Sequence, residues 1–150
     1  MVCPGCLGCH PTAELRTGRD TTDIYRVTSS PLVLLVEDDT DTRRMYATWL
    51  QLLGFAVTEA RDGVEGVASA RAVRPSVVLM DLAMPRMDGV EATRRLKTDP
   101  ATAEVPVVIF SAYTSPEDRR RAFDAGAVEF LAKPCDVELV AARLRHYAGH

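Results

Sequence analysis

Three short apolar runs in this chain each end abruptly at charged residues. Runs of about five residues that are rich in Val, Leu and Ile and do not alternate with polar residues are typical of parallel strands that are covered on both faces. Ligands of such sheets bind beyond the carboxyl ends of the strands. If these runs belong to one sheet, several carboxylates and one ammonium group meet at a single edge. The runs cover residues 32–36, 77–80 and 128–132, and the residues that directly follow them are Glu37, Asp81 and Lys133.

The acids after the first run indicate a metal site. Glu37, Asp38 and Asp39 are consecutive, and Asp81 is expected beside them. Like charges this close repel one another unless a cation lies between them. Carboxylate oxygens are the ligands that hard ions such as Mg²⁺ prefer. The sequence therefore predicts a site for Mg²⁺ or a similar ion.

The composition fits one globular domain of modest size. The chain has 150 residues, of which 47% are hydrophobic, and can bury one core. Its apolar runs fall short of the roughly 20 residues that span a bilayer, and its start lacks the features of a secretory signal. We therefore expect a cytoplasmic location and no membrane partner. The formal net charge of −3 and the lack of a Lys/Arg-rich block argue against direct binding of nucleic acid.

Regular patterns begin at residue 31. Residues 1–30 mix Cys, Pro, Gly, Thr and Ser without periodicity, which predicts an irregular N-terminal extension before a domain over residues 31–150. In that domain, strand and helix patterns alternate five times, which indicates an α/β fold with a doubly wound parallel sheet and helices on both faces. The strands are predicted over residues 32–36, 55–59, 77–81, 105–110 and 128–132, and the helices over residues 41–53, 62–73, 90–97, 115–125 and 136–147.

Apolar spacing predicts which helix faces point inward. Residues three or four apart share a face. This places Tyr46, Trp49, Leu50 and Leu53 on the inner face of the first helix, and Val64, Val67 and Ala68 on that of the second. Asp39 and Asp41 fit helix caps better than metal ligands, because a helix must start there.

A flavodoxin-like strand order, 2-1-3-4-5, places the polar residues together. Strands one and three are then neighbours, so the acids after strand one meet Asp81. Ser111, just past strand four, and Lys133, just past strand five, lie on the same rim. A central carboxylate surrounded by a cation site, a hydroxyl and an amine is suited to phosphoryl transfer, with the carboxylate as the nucleophile.

Four stretches resemble one known family. They are residues 33–39 (VLLVEDD), 81–89 (DLAMPRMDG), 110–112 (FSA) and 133–134 (KP), and they occur in order across residues 31–148. Together they resemble the receiver domain of two-component response regulators. The resemblance implies that Asp81 accepts a phosphoryl group from the phosphohistidine of a sensor histidine kinase or a histidine phosphotransfer protein.

The same resemblance implies how Mg²⁺ is held. Asp38 would ligate the ion directly and Glu37 would act through a water. The backbone carbonyl of Ala83 would complete the protein ligands. Lys133 would bind the phosphate, and Pro134 would follow a cis peptide bond, which costs little before proline.

Two further residues are implied as switch residues. Ser111 would be the hydroxyl that turns towards the aspartyl phosphate, and Phe130 the aromatic residue that changes rotamer with it. Structural interpretations remain open, because Ser111 also fits a loop hydroxyl, Lys133 a surface amine, Asp38 a helix cap and Phe130 the ordinary core. Asp81 ends an apolar strand and needs a partner, which no capping role supplies.

The lifetime of the phosphoryl group is expected to depend on Ala83 and Tyr113. In the family, the corresponding positions, two residues beyond Asp81 and Ser111, border the path of the attacking water. Ala83 offers no side chain to orient that water, and Tyr113 is bulky. We therefore predict slow self-dephosphorylation.

The N-terminal segment carries a separate motif, Cys3, Cys6, Cys9 and His10. Residues 6–10 match the attachment pattern of c-type haem, but that pattern belongs to exported proteins. Three thiolates and an imidazole also suit Zn²⁺, although structural zinc sites usually draw ligands from two separated pairs. An unstructured segment and a redox sensor remain the other interpretations.

The favoured function is a stand-alone phosphorylation switch that binds a downstream protein target, with a homodimer as a possible product. Its responsive face is expected around helix four, strand five and helix five. A phosphorelay shuttle is the nearest alternative. A metal-dependent aspartyl phosphatase needs a second acid where this chain has Ala83, and a flavin carrier needs a phosphate loop where it has three acids.

Overall fold

Five parallel strands form one sheet in the computed structural model, which describes residues 30–149. The spatial order is β2-β1-β3-β4-β5, and all four pairings are parallel. This confirms the predicted α/β fold and its order 2-1-3-4-5. Val36 pairs with Met80 at the ends of β1 and β3, so the residues that follow these strands lie side by side. The strands are β1 (Leu32–Val36), β2 (Ala56–Ala60), β3 (Val77–Met80), β4 (Val107–Ser111) and β5 (Glu129–Ala132).

Four helices connect successive strands and a fifth follows β5, and each helix begins directly after a capping side chain. These side chains accept a hydrogen bond from a backbone N–H of the first turn, which satisfies a donor that the helix leaves free. The prediction that Asp39 is a cap is confirmed, whereas Asp41 lies in the first turn. The helices are α1 (Thr40–Leu52), α2 (Gly63–Val73), α3 (Gly89–Thr98), α4 (Pro116–Ala125) and α5 (Val137–Ala148), with the caps Asp39, Asp62, Asp88, Ser115 and Asp136.

The two faces of the sheet are covered by different helices. Side chains alternate between the faces along each strand. Leu35 of β1 belongs to the apolar cluster that includes Leu50 of α1 and Leu144 of α5. Leu34 belongs to the opposite cluster, which includes Leu96 of α3 and residues of α2 and α4. Both faces are therefore dry, which explains why the central strands β1, β3 and β4 are apolar along nearly their whole length.

The predicted inner face of α1 is wrong at one position. Trp49 is 41% exposed, although Tyr46 and Leu50 are buried as predicted. Ala47 and Arg43 complete the buried face. Ala47, which is small, and Arg43, whose guanidinium group is hydrogen-bonded, therefore occupy buried positions for which apolar spacing predicts larger apolar side chains.

The predicted inner face of α2 is wrong at two of its three positions, whereas Val67 packs partly buried against the core as predicted. Val64 and Ala68 are exposed, whereas Gly66 and Ala70 are buried. A Cβ atom added at Gly66 would lie 3.0 Å from Cγ2 of Val36 in β1. The helix approaches the sheet so closely that only small residues fit between them, and this closeness outweighs hydrophobicity.

Strand β4 begins later than predicted. It starts at Val107, because Pro106 has no N–H to donate to a neighbouring strand. The carbonyl of Pro106 still accepts a hydrogen bond of 2.9 Å from the N–H of Val78. The residue therefore leads into the sheet without belonging to the strand.

Two predictions concern the start of the chain. The irregular extension over residues 1–30 and the motif of Cys3, Cys6, Cys9 and His10 lie outside the described residues, apart from Ser30. Within the described part of the chain, no helix has the length and apolar character needed to cross a membrane.

Candidate functional site

Three carboxylates meet at the carboxyl edge of β1 and β3. They belong to Glu37 and Asp38, which follow β1, and to Asp81, which follows β3. One carboxylate oxygen from each lies within 4.8 Å of those of the other two. Three hard oxygen donors at this spacing fit a divalent cation such as Mg²⁺. The structure thus brings together the acids that the strand order predicts.

Burial differs within the cluster. Glu37 is 5% exposed and Asp81 is 8% exposed, whereas Asp38 is exposed to solvent. Two of the carboxylates therefore lie in the floor of the site, and the third stands at its open side.

Lys133 lies across the floor of the site. Its Nζ donates a hydrogen bond of 2.9 Å to Oε2 of Glu37 and is 3.8 Å from Oδ2 of Asp81. The backbone N–H of Lys133 donates to the carbonyl of Ser111 at 2.9 Å. The Lys133–Pro134 peptide bond is cis, as predicted. The ammonium group of Lys133 thus lies beside the carboxylates of both Glu37 and Asp81.

The electrostatics of the floor favour a bound cation. The pKa of the Glu37 carboxyl is raised from 4.5 to about 7. Burial is the main cause, and the charge of Asp81 adds to it, while the hydrogen bond from Lys133 opposes it. Two neighbouring carboxylates that are buried are costly unless positive charge lies close to them, so a divalent ion in addition to the ammonium group of Lys133 would stabilise both.

The backbone around Asp81 is tightly packed. Oδ1 of Asp81 accepts a hydrogen bond of 2.8 Å from the N–H of Leu82. A Cβ atom added at Gly89 would lie only 2.0 Å from the carbonyl oxygen of Asp81. Position 89 therefore requires glycine, because the start of α3 passes directly against the backbone of Asp81. Gly89 belongs to the 81–89 motif of the sequence, which gives no sign of this contact.

Ser111 and Phe130 occupy different surroundings. Ser111 ends β4 and is fully buried, and its Oγ accepts a hydrogen bond of 3.1 Å from the N–H of Tyr113. Phe130 lies in β5 among the apolar residues under α2, α3 and α4. The guanidinium carbon of Arg119 is 4.7 Å from the centre of its ring. The hydroxyl of Ser111 is thus hydrogen-bonded to the loop after β4, and the ring of Phe130 is part of the core.

Ala83 and Tyr113 line the same cavity. It has a volume of about 220 Å³ and lies between the loop after β3 and the loop after β4. Both side chains are exposed to solvent. The two positions expected to affect water access therefore share one opening, although they are far apart in the sequence.

Arg43 is a residue of the site that sequence reasoning missed. It is buried in α1, and its Nη1 donates a hydrogen bond of 2.9 Å to the backbone carbonyl of Glu37. The available signal was its spacing, since Arg43 precedes Tyr46 and Leu50 by three and seven residues. A charged residue on a buried helical face requires partners, and one partner here is the backbone of the acidic cluster.

The family is shown by comparison with known proteins. The model of the response regulator receiver domain matches residues 33–145, well over half of the chain. The chain therefore belongs to the response regulator receiver family, a class of phosphoacceptor switches in two-component signal transduction rather than conventional enzymes.

Two similar proteins are matched by this chain over only part of their length. The DNA-binding dual master transcriptional regulator RpaA of Synechocystis is 36% identical over 115 residues, which are 77% of this chain and 48% of that protein. The gliding motility regulatory protein of Myxococcus xanthus is 43% identical over 101 residues, which are 67% of this chain and 13% of that protein. The chain thus spans about half of the first relative and a small part of the second.

Solved receiver structures match over nearly their whole length. The receiver domain of the sensor histidine kinase PA1611 of Pseudomonas aeruginosa is 31% identical, with a TM-score of 0.76 over 81% of this chain and 100% of that one. That structure holds a magnesium ion in its active site cleft. The chemotaxis protein CheY4 of Vibrio cholerae is 30% identical, with a TM-score of 0.75 over 79% of this chain and 99% of that one.

Proposed function

We propose that this chain is a signalling switch in which Asp81 accepts a phosphoryl group from the phosphohistidine of a sensor histidine kinase or phosphotransfer protein. The observation that carries the proposal is the position of the Asp81 carboxylate, which shares one cluster with two other acids and Lys133 at the carboxyl edge of the sheet. Membership of the receiver family supports the same assignment.

The proposed metal is Mg²⁺. Asp38 and Asp81 would bind it through their carboxylates, Glu37 through a water and Ala83 through its backbone carbonyl. Mg²⁺, when bound, supplies positive charge that neutralises phosphoryl oxygens. The spacing of the three carboxylates supports this assignment, and the magnesium ion in the Pseudomonas receiver gives a precedent.

The chemistry proposed for Asp81 is nucleophilic attack. A carboxylate oxygen of Asp81 forms a bond to phosphorus, and the imidazole nitrogen of the donor leaves with the electrons of the broken bond. Lys133 lies close enough to pair its charge with a phosphoryl oxygen. Ala83 supplies no second acid to drive steady turnover, which favours a lasting phosphorylated state.

The proposed switch begins at Ser111. Its hydroxyl turns from the N–H of Tyr113 towards the new phosphoryl group, which releases the loop after β4. Phe130 then changes rotamer, and the surface formed by α4, β5 and α5 presents a different shape to a protein target. The added charge and hydrogen-bond acceptors bias this two-state element.

The test is intact-mass analysis of the full chain after incubation with acetyl phosphate and Mg²⁺. The wild type should gain one labile phosphoryl group, and Asp81→Asn should gain none. Asp39→Asn is the matched control, because Asp39 is a neighbouring acid that caps α1, and asparagine caps a helix equally well. It should be modified like the wild type. Modification that persists in Asp81→Asn would contradict the assignment.

A further inference from the structure

Arg43 is a buried cation beside the acidic cluster. Its residue exposure is 7%, and it lies on the inner face of α1. Nη1 donates to the carbonyl oxygen of Glu37 at 2.9 Å, and Nε donates to Oε1 of Glu59 in β2 at 3.2 Å. Burying a guanidinium group is costly unless its N–H groups are bonded. These two bonds therefore determine where the side chain lies.

The backbone of Glu37 is held from two sides. Its N–H donates to the carbonyl of Ala60 at the end of β2, at 3.1 Å. Its carbonyl, which accepts from Arg43, belongs to the peptide that leads into Asp38. Rotation of that peptide would move the Asp38 carboxylate away from those of Glu37 and Asp81. The guanidinium group opposes this rotation.

The two partners of Arg43 contribute unequally. The Glu59 side chain is 40% exposed, and ion pairs with exposed partners add little stability. The bond to the Glu37 carbonyl is buried, and it is the one that reaches the acidic cluster. The two contacts can therefore be removed separately, since Glu59→Gln removes the charge pair and leaves the carbonyl bond.

We propose that Arg43 is a positioning residue of the metal site. Through the carbonyl of Glu37 it holds the Glu37–Asp38 segment where its carboxylates can share an ion with Asp81. Groups that orient metal ligands commonly affect affinity almost as much as the ligands do. This inference rests on the proposed function, because it requires the acidic cluster to bind Mg²⁺.

The test compares Mg²⁺ affinity in Arg43→Met and Glu59→Gln by isothermal titration calorimetry of the full chain. Arg43→Met should raise the Kd for Mg²⁺ by about 10- to 100-fold, the usual effect of losing a group that orients ligands. Glu59→Gln should keep a Kd close to that of the wild type. Urea unfolding in EDTA measures the stability of each metal-free variant, so that an ordinary loss of stability can be separated from a specific loss of affinity.

Arg43→Lys provides the second variant. Lysine keeps the charge and a donor but lacks the planar fork that reaches both partners, so its Kd should fall between those of the wild type and Arg43→Met. If Arg43→Met does not fold, a Kd of Arg43→Lys above that of Glu59→Gln supports the inference.

Two results would overturn the inference in distinguishable ways. Equal affinities in the folded Arg43 variants and Glu59→Gln would remove the positioning role of Arg43 alone. A wild type that binds no Mg²⁺ would remove the proposed metal site and, with it, this role.

Discussion

We expect Ala83 and Tyr113 to border the path by which water reaches Asp81. They line one cavity, and the methyl group of Ala83 neither donates nor accepts a hydrogen bond. The phosphorylated aspartate should consequently lose its phosphoryl group slowly. The rate of this loss should depend on single side chains, because it depends on how one water molecule is oriented.

Ala83→Asn is expected to speed the decay of phosphorylated protein severalfold, since an amide can orient the attacking water. The measurement is the rate of loss of the phosphoryl group, followed by intact mass after the donor is removed. Ala101→Asn is the matched control, because Ala101 is exposed in a different loop and should leave the rate unchanged. Equal decay of Ala83→Asn and the wild type would contradict the hypothesis.

The contact between β5 and α5 is held by a charged network. Nε and Nη2 of Arg143 donate to Oε2 of Glu129 at 3.0 and 2.5 Å, and the hydroxyl of Tyr147 donates to the same oxygen at 2.6 Å. Burial alone would raise the pKa of Glu129, but these hydrogen bonds outweigh it and lower the pKa below 4.5. The network thus favours the charged carboxylate in the folded protein.

The stabilisation from Glu129 should therefore depend on pH. Because the folded pKa is lowered, the contribution is complete above the unfolded pKa of about 4.5 and disappears as the pH falls through the folded value. Glu129→Gln should be less stable than the wild type by about 1 kcal/mol at pH 7, since Arg143 is partly exposed. In urea unfolding, this difference should shrink at acidic pH. Asp124→Asn, a change at an exposed position of α4, should be as stable as the wild type at both pH values. A difference in stability between Glu129→Gln and the wild type that does not depend on pH would contradict the explanation.

Helix packing shows where sequence patterns fail at the scale of elements. The alternation of strands and helices was predictable, because the central strands of a sheet covered on both faces are apolar runs, and helix patterns lie between them. The inner face of α2 was not, because Gly66 and Ala70 are buried, and at Gly66 the distance from the helix to Val36 of β1 leaves no room for a larger side chain. Apolar spacing measures hydrophobicity and contains no information on that distance.

Across the whole molecule, the sheet joins residues that are distant in the chain. Glu37 and Lys133 are 96 positions apart and form a hydrogen bond. A ligand that binds only this folded arrangement must stabilise the fold, because the unfolded chain separates the carboxylates. Mg²⁺ is the proposed ligand of this kind.

Saturating Mg²⁺ should raise the free energy of unfolding, by about 2.7 kcal/mol when its concentration is 100 times the Kd. Asp38→Asn should abolish this increase in urea unfolding. Asp41→Asn should keep it, since Asp41 lies outside the three-carboxylate cluster. An equal increase in Asp38→Asn would show that the ion acts elsewhere.

The sequence by itself determined the alternation of strands and helices and the charged residues at the strand ends, because apolar runs and the charges that follow them are visible in the chain. The strand order was taken from the flavodoxin-like arrangement, and the role of Asp81 as phosphoacceptor is implied by the family resemblance. Only the tertiary structure decided that Arg43 bonds to the backbone of Glu37, that Gly89 lies against Asp81, and that Ser111 holds the N–H of Tyr113. Those contacts depend on distances between elements, which packing sets and no periodic pattern records.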